Sequence, residues 1–232
     1  ILDGYLQPLE QLNHRCFHLH IITALCQGWT AHPSKLIEAL GLLRAAVRLA
    51  WGRQFLAPLA QRYLYSDPRL PLPANYQDLA TTVVSLHAKN LRDALLASGS
   101  IPLLLEGVPL ESPVGRLRDG GLVDYHLTFL PVQPSQGLIF YPHFDTELRE
   151  GYLERLWGIR NNQMDKNLDR AVLLTPTREW LRSLPLGRLP DRKDASLPIS
   201  RRQALWFEAA RRGQELADAF QPDKLIEQLQ PL

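Results

Sequence analysis

Residues 91–123 read LRDALLASGSIPLLLEGVPLESPVGRLRDGGLV and carry the strongest local structure signals in this 232-residue chain. The first part predicts a helix from about Lys89 to Ala97, because Ser98-Gly99-Ser100 and Pro102 are residues that typically end helices. The last part predicts a strand that enters a tight turn at Asp119-Gly120-Gly121, since Asp and Gly are favoured in turns. A helix joined to a strand and a turn in this way is typical of an α/β domain.

Strands and helices also alternate along the rest of the chain. Phe17–Ala24 is rich in β-branched and apolar residues and predicts a buried strand. Ser34–Leu64 predicts a helical insertion, with Ser34 as N-cap and Pro58 as the residue that ends or kinks the helix. The other predicted elements are the strand and turn of Leu117–Phe129, short strands at Gly137–Phe140 and Ala171–Thr175, and a long helix at Ser200–Phe220. This alternation favours one α/β domain over residues 1–232, with a mostly parallel central sheet.

The segment Pro185–Pro198 is polar and interrupted by prolines, which predicts a mobile loop. The formal net charge of +2 is too small to indicate nucleic-acid binding. Cys16 and Cys26 are not in CxxC spacing, so they predict free thiols rather than a disulfide scaffold or a zinc site. No run of apolar residues is long enough to span a bilayer.

The motif around the Asp-Gly-Gly turn resembles the second signature region of the patatin-like phospholipases. In that region an Ala-Ser step and an Ile-Pro pair close a helix, and an Asp-Gly-Gly or Asp-Gly-Ala turn follows. The matching positions in this chain are Ala97, Ser98, Ile101, Pro102, Asp119, Gly120 and Gly121. The resemblance implies a three-layer α/β/α fold and a lipid acyl ester hydrolase that uses a Ser-Asp dyad. It implies a phospholipid or another acyl ester as substrate and no metal or organic cofactor.

By this resemblance Asp119 is the catalytic base. A serine hydroxyl is a poor nucleophile until a neighbouring base accepts its proton. A carboxylate must be partly desolvated to hold that proton. Gly120 and Gly121 are expected to let the backbone turn sharply and to let a partner approach closely. Asp124 lies beyond the turn and is expected to be a structural cap or a surface carboxylate.

The chain contains no Gly-x-Ser-x-Gly sequence, which is the nucleophile elbow that the family places between a strand and a helix. Ser98 and Ser100 close a helix rather than open one, and Ser112 and Ser135 lie in proline-rich loops. We therefore expect the nucleophile and the oxyanion loop before Ile1, which makes the chain the C-terminal part of the domain. Two alternatives remain. One is a non-catalytic relative that serves as a binding or scaffold module. The other is an unrelated nucleotide-binding α/β domain, which would need a Gly-rich phosphate loop.

Histidines offer two further possibilities. His18 and His20 share one face of the predicted strand, which suits metal ligation, but only His14 is close enough in sequence to be a third ligand. We interpret them as satisfied or partly exposed histidines. His126 and His143 could belong to a Ser-His-Asp triad. The resembling family needs no histidine, so we interpret both as structural.

The predicted helix Ser34–Leu64 is basic and amphipathic. Its apolar stripe consists of Leu36, Leu40, Leu43, Val47 and Ala50. Its cations are Lys35, Arg44, Arg48, Arg53 and Arg62, and it also carries the aromatic residues Trp51 and Phe55. The simplest interpretation is that the stripe packs on the core while the arginines face water. The alternative is peripheral contact with an anionic membrane surface. The expected location is accordingly cytoplasmic or peripheral to a membrane, and the chain as given does not exclude a signal peptide.

Overall fold

The computed structural model describes residues 18–71, 79–126, 139–144, 148, 151–153 and 171–221. The chain folds into two compact units, where the sequence led us to expect one domain. The first unit comprises residues 1–133 and 149–168, and the second comprises residues 134–148 and 169–232. The α/β class is confirmed, because each unit combines strands with helices.

The first unit is built on a five-stranded sheet. Its strands are β1 (His20–Cys26), β2 (Ala60–Ser66), β3 (Thr81–Ser85), β4 (Val108–Leu110) and β5 (Gly115–Asp119), in the order β3-β2-β1-β5-β4. The β1–β2, β1–β5 and β4–β5 pairs are antiparallel, and only β2–β3 is parallel. Over the described residues this sheet is therefore mixed rather than mostly parallel. The connection between β4 and β5 is too short for the crossover that a parallel pair requires.

Two helices, α1 (Lys35–Leu49) and α2 (Ala88–Ser98), pack on opposite faces of this sheet. Ala45, Ala46 and Leu49 of α1 share a buried cluster with Ala24 and Cys26 of β1. The buried face of α2 shares a second cluster with the alternate β1 residues Ile21 and Leu25. Because successive strand side chains point to opposite faces, the two clusters lie on the two sides of β1.

The helix predicted over Ser34–Leu64 is shorter than expected. It ends at Leu49, and a 3₁₀ helix follows at Arg53–Leu56. Between them Gly52 has a φ of +124°, a conformation that a continuing helix cannot use. The predicted C-terminal part is strand β2, which lies between β3 and β1 in the sheet and has nearly all its side chains buried. Ser34 precedes the helix as predicted, although its side chain makes no capping hydrogen bond.

The apolar stripe of α1 faces outward, contrary to the simplest interpretation of its sequence. Leu36, Leu40, Leu43 and Val47 are exposed, whereas the buried face carries the small residues Gly41, Ala45 and Ala46 together with Glu38 and Leu49. A Cβ atom on Gly41 would lie 2.6 Å from the backbone carbonyl carbon of Trp29. Small side chains thus let α1 approach its neighbours closely, and its larger residues are left on the outside.

Helix α2 and the end of β5 agree closely with the predictions, but the strand predicted to continue after the Asp-Gly-Gly turn is not formed over the described residues 122–126. Helix α2 extends one residue beyond each end of the predicted Lys89–Ala97, and β5 ends at Asp119 where the turn was expected. The first strand begins at His20, so His18 and Leu19 of the predicted strand lie outside it, and it continues two residues past the predicted Ala24. Phe17, residues 127–129, and Gly137 belong to predicted strands but lie outside the described residues.

The second unit contains strands β6 (Ile139–Pro142) and β7 (Ala171–Leu174), which pair in parallel, and helices α3 (Arg178–Ser183) and α4 (Ile199–Ala219). Its predicted loop, Pro185–Pro198, includes a 3₁₀ helix at Arg192–Ser196. Asp194 in this segment is buried and accepts hydrogen bonds from Arg188 and, at 3.0 Å, from the indole N–H of Trp206. These hydrogen bonds lower the pKa of the Asp194 carboxyl to about 2, and the bond from Arg188 has the largest effect.

Candidate functional site

Asp119 is the last residue of β5 and is held in place by three neighbouring segments. It pairs with Thr23 of β1 in the sheet register. Its backbone N–H donates to the carbonyl oxygen of Ser100 at 3.0 Å. Its side chain caps the 3₁₀ helix Gly120–Leu122, since Oδ1 accepts a hydrogen bond from the Gly121 N–H at 2.8 Å. The strand and the segment after α2 thus fix the backbone of Asp119, and its own turn fixes the carboxylate.

The environment of the Asp119 carboxyl raises its pKa above the ordinary value of 3.8. Burial is the main cause, and the hydrogen bond from Gly121 opposes it in part. No cation among the described residues contributes to the pKa shift of Asp119. Desolvation without a neighbouring positive charge disfavours the ionised form, which makes the carboxylate a better proton acceptor than an exposed one.

Close packing requires glycine at position 120 and leaves little room for a side chain at position 121. A Cβ atom on Gly120 would lie 2.5 Å from the carbonyl oxygen of Ile22, so the turn can pack against β1 only without a side chain at this position. A Cβ atom on Gly121 would lie 3.1 Å from Oδ1 of Asp119. Neither glycine has a positive φ. The turn is present as expected, and the close approach seen here is that of the β1 backbone to Gly120. The close approach of a catalytic partner stays a prediction.

The residues that follow α2 meet the turn directly. Ser98 is the last residue of α2 and is half-buried, and Pro102 lies in the turn just after Ser100. Ser100 is buried, and its hydroxyl donates to the carbonyl oxygen of Leu96 at 2.6 Å. Its backbone carbonyl is the group that binds Asp119. The two halves of the sequence motif are therefore in contact, although Ser100 contributes its backbone rather than its hydroxyl.

Asp124 has a structural role, and the alternative expectation of a surface carboxylate is wrong. It is 5% exposed, and it accepts hydrogen bonds from Arg62 Nε at 2.7 Å and Arg62 Nη2 at 2.6 Å. Arg53 also donates to it, at 3.1 Å, and to the carbonyl oxygen of Val123 at 2.8 Å. This buried cluster ties the segment after the turn to β2. We expected Arg53 and Arg62 to face water on the predicted helix, which is wrong because both are buried. An arginine within the apolar run of β2 was a signal for a buried ion pair.

Comparisons with family models, curated proteins and solved structures found no match in any of the three.

The histidine pair at the start of β1 surrounds a different carboxylate. His18 Nδ1 lies 3.7 Å from Oδ2 of Asp67, and the Asp67 N–H lies 3.4 Å from Nδ1 of His20. Hydrogen bonds from Arg69 hold the pKa of the Asp67 carboxyl far below its ordinary range, while burial lowers the pKa of His20. Among the described residues no three His, Cys, Asp or Glu side chains form a metal-binding group, and His14 lies outside that part of the chain.

The other candidate groups lie in settings that do not favour nucleophilic chemistry. Cys26 is fully buried, which raises the pKa of its thiol to about 12, and Cys16 is not among the described residues. Ser112 is exposed between β4 and β5, and Ser135 is also outside the described part. His126 is buried with its ring centroid 4.7 Å from that of Tyr125. His143, in the second unit, stacks on Phe144 at 4.4 Å.

A cavity of about 240 Å³ lies between the first turns of α1, the segment Leu103–Glu106 and β5. Its wall includes the buried ion pair of Arg118 with Glu38, whose nitrogen and oxygen are 2.5 Å apart. Asp119 does not line this cavity. None of the helices in the described ranges is both long enough and apolar enough to cross a bilayer.

Proposed function

We propose that this chain is the aspartate-bearing part of a patatin-like serine acyl hydrolase acting on phospholipids or other fatty acyl esters. The observation that carries the proposal is the setting of Asp119. Its carboxylate is partly buried, has no cationic partner among the described residues and accepts a hydrogen bond from its own turn, while its backbone N–H binds the segment after α2. Those are the features that a catalytic carboxylate base needs.

For the fold, we propose the three-layer α/β/α arrangement of that family. The packing of α1 and α2 on opposite faces of one sheet supports it. The mixed pairing of the five described strands does not support a mostly parallel sheet, so that feature is left out of the proposal.

The mechanism follows from the two oxygens of Asp119. Oδ1 accepts the hydrogen bond from the Gly121 N–H, and Oδ2 has no hydrogen-bond donor among the described residues. Oδ2 is therefore the oxygen that accepts the serine proton in the proposed mechanism. A serine, which the proposal places before Ile1, attacks the ester carbonyl carbon while its proton passes to Asp119. The tetrahedral intermediate collapses, the alcohol leaves with that proton, and an acyl-serine remains. Water then attacks the acyl-serine, Asp119 takes a proton from the water, and the serine regains it as the fatty acid leaves.

The position of the nucleophile is the first test. In the full-length protein, a fluorophosphonate probe should label one serine, and peptide mapping should place it before Ile1 in a Gly-x-Ser-x-Gly sequence. Residues 1–232 alone should remain unlabelled and should not hydrolyse p-nitrophenyl butyrate. Within the described residues, the Ser100 hydroxyl is already bound to Leu96, and Ser98 ends a helix. Labelling of Ser98 or Ser100 would contradict the proposal.

A further inference from the structure

The outward side of α1 is a continuous apolar surface. Leu36, Leu40, Leu43 and Val47 are 73%, 48%, 58% and 43% exposed, and they recur at the three- and four-residue spacing that places them on one side of a helix. Backbone hydrogen bonds continue the last turn to Trp51, which is 66% exposed, and Phe55 follows in the next 3₁₀ helix at 47%. We call these six residues the α1 face. Single exposed apolar residues are common, but a contiguous set of this size indicates a binding surface.

The charged side chains that α1 itself presents to solvent have one sign. Lys35 and Arg44 are exposed and Arg48 is half-buried, and none of them forms an ion pair with an acidic residue that the structure describes. The guanidinium of Arg44 lies 5.7 Å from the ring centre of Trp29, which is itself exposed. The acidic residue of α1, Glu38, is turned inward and paired with Arg118. The helix therefore presents leucines and cations outward while its carboxylate is buried.

We propose that the α1 face binds the surface of an anionic lipid membrane. Leucines and tryptophans enter the boundary between head groups and acyl chains, and flanking arginines and lysines pair with the anionic head groups. A second copy of the chain fits this surface less well. In a symmetric contact the arginines of both copies would come together, and α1 offers no exposed carboxylate to compensate them.

A neighbouring apolar loop extends the proposed surface. Leu103, Leu104 and Leu105 are exposed, and they line the same cavity as Pro33 and Lys35 at the start of α1. A membrane held by the α1 face would therefore meet a second cluster of leucines beside its first turn. The proposal does not depend on ester hydrolysis, because membrane binding is measured without turnover.

Vesicle co-sedimentation of the full-length protein tests the proposal. We expect binding to vesicles of phosphatidylcholine with phosphatidylserine and at least tenfold weaker binding to phosphatidylcholine alone. Arg44→Glu with Arg48→Glu should weaken binding to the anionic vesicles at least tenfold, since each basic residue near such a surface contributes about fivefold. Leu40→Gln with Leu43→Gln should weaken binding to a similar extent by removing the inserting side chains. These four side chains lie outside the buried core, so the unfolding temperature should stay near that of the wild type.

Control variants elsewhere on the surface distinguish a role of the α1 face from general effects of changed net charge or lost apolar surface. Lys89→Glu with Arg201→Glu makes the same change in net charge on α2 and α4, and Phe207→Gln removes an exposed apolar side chain of α4. Both controls should bind the anionic vesicles like the wild type. Absence of wild-type binding, or equal losses in control and α1 variants, would overturn the proposal. A dimer that Leu40→Gln with Leu43→Gln converts to a monomer, without any vesicle binding, would identify the face as a protein interface instead.

Discussion

Asp119→Asn should lower ester hydrolysis by the full-length protein about 10²–10⁴-fold, the usual contribution of a general base. The amide oxygen can still accept the hydrogen bond that Gly121 now gives to Oδ1, so the turn should keep its geometry. The amide cannot take up the serine proton, however. Initial rates on p-nitrophenyl butyrate, compared at equal amounts of folded protein, measure the effect. Turnover close to that of the wild type would remove Asp119 from the mechanism.

The same substitution should increase stability at neutral pH. Burial raises the pKa of Asp119 in the folded protein above the ordinary value of 3.8, so the folded state binds this proton more tightly than the unfolded state. The contribution of Asp119 to stability is therefore present at low pH and is lost as the pH rises from 3.8 through the raised pKa. Urea denaturation should show that Asp119→Asn gains stability relative to the wild type across that interval and keeps the gain at pH 7. A lower stability at pH 7 would contradict this.

Asp124→Asn should have the opposite profile and cost about 3–5 kcal/mol in the free energy of unfolding, as expected when one partner of a buried ion pair is removed. Both Asp124 oxygens accept hydrogen bonds from Arg62, and Arg53 adds a third, with all three side chains buried. The neutral amide removes the buried negative charge that these two guanidiniums share. Urea denaturation at pH 7 measures the loss.

The two aspartates thus form a matched comparison of one substitution at positions five residues apart. Asp119→Asn should lose turnover and keep the fold, while Asp124→Asn should lose stability. The folded fraction of Asp124→Asn should keep measurable turnover. Loss of turnover in a stable Asp124→Asn variant would exchange the roles that we assign to the two carboxylates.

The parts of the fold that sequence predicted well depend on local chemistry. The end of α2 and the turn after β5 are set by Ser, Gly, Pro and Asp residues that act on their own neighbours, and both lie where they were expected. The direction of α1 was not predictable in this way. Its leucines and its Gly41, Ala45 and Ala46 both recur at helical spacing, so periodicity alone could not decide which side faces the core. The close approach of Gly41 to Trp29 and the Glu38–Arg118 pair decide it, and both depend on tertiary packing.

The candidate site shows the same division. Asp119 and its two glycines could be found from their tripeptide and the motif before it. The carbonyl of Ser100 as a partner of Asp119 could not be found in this way, because that contact joins the segment after α2 to the end of β5, which is distant in the sequence. Arg53 and Arg62 reach Asp124 from positions 71 and 62 residues earlier in the chain. Sequence periodicity does not predict which residues meet over such a separation.

The rate of fluorophosphonate labelling as a function of pH, in the full-length wild type and in Asp119→Asn, tests the central claim most directly. The probe reports activation of the serine and needs no knowledge of the natural substrate. If Asp119 is the base, wild-type labelling should be fast at neutral pH and should fall in acid around an apparent pKa above 3.8. Labelling of Asp119→Asn should be about 10²–10⁴-fold slower at neutral pH and should not show the fall in rate at acid pH. Equal labelling rates with the same pH dependence in both proteins would contradict the account.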